Sequence, residues 1–172
     1  MPVSLRCSCY HEAGHAVAWV VIGDRLCRVD CRRSLRSAGQ TQRRGGQGLS
    51  SCSQCGGTEM RDACPTCTRI VTNHLMGHLA GGAATSYLLR EEHTVAQSKD
   101  DHDKVKRLLR EFSDNEQIRQ SVRSQAEQKA QDLVRREEKA ISALAAVLML
   151  RGVVDGPEAE QIIKEHLETS AI

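Results

Sequence analysis

Two histidines four residues apart, with a glutamate after the first, stand close to the start of this chain. The stretch Cys9-Tyr-His-Glu-Ala-Gly-His-Ala-Val17 holds a His-Glu-x-x-His pattern at His11, Glu12 and His15. On an α-helix, residues four apart share a face, so both imidazoles can hold one ion. Neutral imidazole suits Zn²⁺. Glu12 sits one residue round, where its carboxylate reaches a zinc-bound water without being a ligand. The bland alternative is two surface histidines on an amphipathic helix.

A catalytic zinc takes three protein ligands and leaves a position for water. Positions 16–25 hold no further histidine, so the third ligand must come from elsewhere. In Ser98-Lys-Asp-Asp-His-Asp-Lys-Val-Lys-Arg-Leu-Leu109, Asp101 stands four residues before Val105, seven before Leu108 and eight before Leu109. It therefore lies on the buried stripe of its helix, where a carboxylate needs a partner. Zinc would be such a partner. His102, one residue off the stripe, is the rival ligand. Asp103 falls on the outer face, and Asp100 is placed to cap the helix.

A second group is made of sulfur. Cys52-Ser-Gln-Cys55 and Cys64-Pro-Thr-Cys67 are two Cys-x-x-Cys pairs with eight residues between them. Four thiolates can surround one tetrahedral ion. In a reducing compartment paired spacings of this kind point to metal rather than disulfides. Redox cycling of a single pair is the alternative. Cys7, Cys9, Cys27 and Cys31 read as buried or idle thiols, with a further metal site as the lesser option. His74 and His78 also stand four apart, but no glutamate follows His74. They read as ordinary helix residues, or as neighbours of the metal.

The elements that must position these groups are mostly helical. Residues 9–23 carry an apolar stripe of Ala13, Ala16, Val17, Val20 and Val21, ended by Gly23-Asp24. Residues 25–31 alternate loosely and predict a short strand; a second short strand follows Gly39. Residues 32–57 are rich in Ser, Gly, Gln and Arg and read as loop. Helices are predicted over 68–90, from near Asp100, over about 115–136, over the segment ended by Gly152, and from near Pro157, with Asp155 before it. Gly81-Gly82 lies inside the 68–90 helix. Each glycine costs a helix about 1 kcal/mol relative to Ala, so close contact with another helix is expected there.

Composition excludes several classes. Among 172 residues, 24 basic side chains oppose 22 acidic ones, for a net charge of +2. That balance gives no electrostatic case for nucleic acid or membrane surfaces. The local cluster Arg32, Arg33, Arg36, Arg43 and Arg44 reads as a solvated loop. Aromatic residues are 2% of the chain, so its core must be aliphatic. No apolar run approaches the ~20 residues of a membrane span. No apolar leader opens the chain, and a cytoplasmic location is expected.

Four segments, taken in order, resemble the FtsH-type ATP-dependent zinc metalloproteases. Tyr10-His-Glu-Ala-Gly-His-Ala-Val17 resembles that family's zinc-binding helix. His78-Leu-Ala-Gly-Gly-Ala-Ala-Thr-Ser-Tyr-Leu-Leu89 is similar to its Leu-Ala-Gly-Arg-Ala-Ala-Glu-Glu segment. Residues 98–109 resemble the helix whose aspartate is the third zinc ligand, and residues 140–163 are similar to the C-terminal segment. Ala38-Gly-Gln-Thr41 matches a strand after the catalytic helix. The resemblance spans most of residues 9–167. It implies a mainly α, helical zincin-type peptidase domain with a short β element, over residues 1–172, into which residues 48–68 insert a four-cysteine zinc knuckle. It makes His11, His15 and Asp101 the catalytic zinc ligands and Glu12 the general base. A second, structural zinc would sit on Cys52, Cys55, Cys64 and Cys67. His102, His78 and Asp100 are candidates for the groups around the catalytic ion. Gly14 and Gly81-Gly82 would let two helices approach closely behind it.

The chain also departs from that family. Thr85 and Ser86 stand where an acidic pair is usual, and His102 replaces an apolar residue. Only eight residues precede the helix, so the expectation is a peptidase without the family's membrane segment or ATPase. It would act without ATP on flexible or unfolded proteins, or with a separate unfoldase or adaptor. The expected chemistry is endopeptidase cleavage by a zinc-activated water. The substrate would pair as a strand with the edge near residues 26–31, and His102, His93 or His78 would donate to the oxyanion. Two alternatives remain at this level: a narrowly specific regulatory protease, and a non-catalytic protein-binding module built on the same scaffold and four-cysteine element.

Overall fold

A computed structural model describes residues 4–32, 39–44, 52, 54–55, 62–90 and 95–168. Among these residues six helices and three short strands follow one another: α1 (Leu5–Val21), β1 (Leu26–Asp30), β2 (Gln40–Arg43), α2 (Pro65–Leu89), α3 (Val95–Phe112), α4 (Glu116–Arg136), α5 (Glu138–Arg151), β3 (Val153–Asp155) and α6 (Gly156–His166). The fold is mainly α with a short β element and a four-cysteine cluster, as the sequence predicts. No helix among the described residues is long and apolar enough to cross a membrane.

The first helix starts earlier than its apolar stripe does. Ser4 accepts a hydrogen bond from the Cys7 N–H at 3.1 Å and caps a turn that the stripe does not reveal. The stripe itself is an incomplete description. Cys7, Ser8, Cys9 and every residue from His11 to Trp19 are buried. A helix covered on nearly all sides is a central helix, not a surface one. At its end the chain turns through Gly23, whose φ of +93° favours glycine.

β1 lies between β2 and β3, antiparallel to both. Val29 pairs with Thr41 on one side and Val154 on the other. This corrects the expected substrate edge at residues 26–31: among the described residues β1 is the middle strand, and β2 and β3 are the outer ones. β3 is an element that sequence reading passes over, because three residues after Gly152 carry too little pattern to show period two.

Two cores hold the helices. One gathers α1, β1, β3, α5 and α6, with Val17, Leu26, Ile141, Leu144, Leu148 and Ile163 among its fully buried side chains. The other lies under the N-terminal half of α2, with Val71 and Leu75 against Val105, Leu108, Leu109 and Phe112 of α3, Val122 of α4, and the sulfurs of Cys52 and Cys67. α2 runs through both. α3 begins at Val95, so Asp100 lies inside the helix and does not cap it.

The basic cluster is also not simply solvated. Arg43 pairs with Asp24 at 2.6 Å and lies over the Trp19 ring at 4.0 Å, with its side chain only 7% exposed. Arg32 pairs with Asp30 at 3.0 Å. Arg33 and Arg36 lie outside the described residues.

Candidate metal centre

α1 and α2 pack closely enough to explain their glycines. A Cβ on Gly14 would stand 2.6 Å from the Ala80 carbonyl oxygen, and one on Gly81 would stand 2.5 Å from His15 Nε2. The helices are therefore in contact through backbone and imidazole, which accounts for the cost of glycine within α2. His15 uses this proximity. Its Nδ1–H donates to the Gly77 carbonyl at 2.8 Å, which turns Nε2 toward His11 and Asp101.

Three donor atoms converge at that point. His11 Nε2 and His15 Nε2 are 3.0 Å apart, and each is 3.1 Å from Asp101 Oδ2. Ligands of a tetrahedral zinc at ~2.05 Å stand about 3.3 Å from one another. The donor set, two imidazole nitrogens and a carboxylate, is one that zinc takes, and the separations fit it. Asp101, ninety residues from His11, joins the cluster; His102, its rival, does not. The Asp100 side chain is 89% exposed and pairs with Lys104 at 3.6 Å, turned away from the donors.

A carboxylate held against two imidazoles sets the electrostatics of the group. Burial pushes the Asp101 carboxyl up, but the charge and hydrogen bonds of His15 and His11 outweigh it and hold it well below the usual carboxylate range. Burial works against a charge on His15, but Asp101, with smaller help from Glu12 and the Gly77 carbonyl, raises it to about 9. Glu12 is raised by burial to about 7, against the pull of His15 and a hydrogen bond. That bond comes from Thr41: its hydroxyl lies 2.8 Å from Glu12 Oε2 and 3.1 Å from the Glu12 carbonyl oxygen. Gly39 also lies against the Glu12 side chain. Nothing local in the sequence links Thr41 to a residue 29 positions earlier.

The remaining histidines divide. His74 and His78 are buried in edge contact with each other and with Trp19, at ring separations of 5.1–5.3 Å. Burial lowers His74 to about 4 and His78 to about 3, so both are neutral at pH 7. His78 lines a cavity of about 450 Å³ together with Asp101, His102, Leu79, Ala83 and Tyr87. His93 lies outside the described residues.

The sulfur cluster also assembles. The four Sγ atoms of Cys52, Cys55, Cys64 and Cys67 all lie within 4.8 Å of one another, with Cys52–Cys64 at 3.7 Å and Cys55–Cys67 at 3.4 Å. They can hold a metal ion. The Cys55 backbone draws the Cys52 thiol down to about 6, toward the thiolate that a metal requires. Cys64 is the residue before α2, and Pro65 opens that helix. Of the other cysteines, Cys9 and Cys31 meet with Sγ atoms 2.9 Å apart in the core, Cys7 is buried and Cys27 exposed. The Cys9–Cys31 contact is one that spacing alone does not announce.

Thr85 is fully buried and turns its hydroxyl back to the Gly82 carbonyl at 3.0 Å. Compared with known proteins, the chain matches no family model and no curated protein sequence.

Proposed function

We propose that this chain is a zinc-dependent endopeptidase of the FtsH-like type, acting on flexible or unfolded segments of protein. The observation that carries the reading is the convergence of His11, His15 and Asp101 with Glu12 buried beside them. A scaffold without chemistry has no need of a buried carboxylate next to such a donor set, since isolated buried charge is costly. The four-cysteine cluster is proposed to hold a second zinc with a structural role, because tetrathiolate sites leave no position open.

His11, His15 and Asp101 would hold the catalytic zinc. When bound, zinc would supply Lewis-acid activation of water and of the peptide carbonyl. Glu12 accepts a proton from the attacking water and delivers it to the leaving amine. Thr41 holds Glu12 Oε2 in place from β2. Among the described residues β2 is an outer strand of the sheet, so an extended peptide adding to it would lie beside Glu12. The cavity next to Asp101 and His102 would take a side chain of that peptide.

Glu12→Gln tests the reading. The variant should retain metal at the centre yet lose cleavage of casein by about 10²–10⁴-fold. Undiminished cleavage in a metal-loaded variant would remove the proposed role of Glu12, and a wild-type chain that binds no metal at the histidines would remove the mechanism.

A further inference from the structure

We infer that Cys52, Cys55, Cys64 and Cys67, with the Asp62–Ser113 hydrogen bond, are positioning residues for Asp101, so that a metal on the thiolates is needed for full metal affinity at His11, His15 and Asp101. The inference rests on the metal centre proposed above. It follows from how α3 is held. Asp101 is the only one of the three ligands that α1 does not supply, and its place depends on the seating of α3.

α3 sits on the second core. Its buried side chains Val105, Leu108, Leu109 and Phe112 pack in one cluster with Cys52 and Cys67, whose exposures are 2% and 0%. The sulfur cluster is therefore part of the surface on which α3 rests. At the far end of α3, Ser113 is buried and donates from its hydroxyl to Asp62 Oδ2 at 2.6 Å. Asp62 stands two residues before Cys64, and its carbonyl oxygen accepts from the Thr68 hydroxyl at 3.5 Å. The same short stretch thus carries two of the thiolates and the bond that anchors α3.

The geometry transmits any slip. Asp101 lies one helical turn before Val105, on the same face, and a rotation of α3 by one residue, ~100°, turns that face away from α1. α2 is the shared strut: Cys67 lies in its first turn, while Gly77 and Gly81 meet His15 farther along. A metal on the four sulfurs ties the loop at Cys52–Cys55 to the start of α2. Metal binding of this kind contributes folding free energy directly. Without it, Cys52 leaves the core beneath α3, and α3 loses its seat and its anchor together.

The test counts metal per chain after equilibration with zinc, and reads amide exchange in α3 and α5. Wild type should hold two ions. The double variant Cys64→Ser, Cys67→Ser should lose the thiolate-bound ion and bind zinc at the histidines at least about tenfold more weakly, with faster exchange over residues 105–112 and unchanged protection over residues 140–148. One ion retained at wild-type affinity in that variant overturns the inference and leaves the peptidase reading standing. One ion in wild type, lost with the cysteines and indifferent to His15→Ala, overturns both. Should the double variant lose protection in α5 as well, Ser113→Ala decides. It should keep the thiolate-bound ion and weaken zinc at the histidines by about tenfold, as loss of a supporting bond does, with Ser113→Thr restoring it. Unchanged affinity in Ser113→Ala overturns the inference.

Discussion

The His11–His15–Asp101 group and the four-cysteine cluster can each hold a metal ion, yet they are built in opposite ways. The sulfur donors come from Cys52 and Cys55 and, twelve residues on, from Cys64 and Cys67 at the start of α2. Short-range geometry brings them together. The nitrogen and oxygen donors come from the central helix and from a helix ninety residues away, and they meet only because α1, α2 and α3 pack. The second kind of site inherits every weakness of that packing. Its histidines depend on glycine contacts at 14 and 81, and its aspartate on the seating of α3. A locally built cluster can therefore survive damage that dismantles an assembled one.

The contrast can be broken at its widest point with Asp101→Ala. Removing a ligand should weaken zinc at the histidines by more than about 100-fold, beyond what a supporting group costs, while the thiolate-bound ion stays. Metal analysis after dialysis against a weak chelator reads both sites; equal loss from the two would erase the distinction. Gly14→Ala comes next. The added methyl would meet the Ala80 backbone, which cannot yield as a side chain can. Overpacking should cost about 1–3 kcal/mol in urea unfolding and lower affinity at the histidines alone.

A smaller effect separates the centre from its neighbours by pH. His74 is folded in a neutral state, with its pKa lowered by burial to about 4 from an ordinary 6.5. Between those values the unfolded chain binds the extra proton, so this group's stabilisation is full above pH 6.5 and is lost as pH falls toward 4. The slope is at most about 1.4 kcal/mol per pH unit. His74→Phe, which keeps an aromatic ring against Trp19, should flatten the wild-type pH dependence of urea unfolding by that amount or less. Identical slopes in the two proteins would show that His74 is not held neutral. The smallest expected change is Ser4→Ala, about 1 kcal/mol from a lost helix cap. It should lower the thermal midpoint without altering either metal stoichiometry.

Much of this was legible in one dimension. Helix periodicity gave the long elements, and Gly152 and Pro157 placed their limits well. The Cys-x-x-Cys pairs and the His-Glu-x-x-His pattern are local signals, and each assembles as its spacing suggests. The buried stripe of α3 singled out Asp101, because a carboxylate in line with Val105 and Leu108 requires a partner. Other features had no local signature. The stripe on α1 did not reveal a helix buried nearly all round, since small residues such as Ala, Gly and Ser fit either a core or a surface. β3 was too short to show a period. Asp100 has the residue type of a cap, but α3 begins five residues earlier.

What the sequence by itself determined is the chemistry available: which side chains can ligate, which can exchange a proton, and how they repeat along a helix or a knuckle. Residue type and short spacing set these, and both are written locally. Tertiary structure alone decided which of them meet. It made β1 the middle strand, brought Thr41 to Glu12 and Cys9 to Cys31, and set the sulfur cluster beneath the helix that carries Asp101. The physical reason is that contacts between distant residues are chosen by the burial of whole faces, and no single stretch of sequence contains both sides of such a contact.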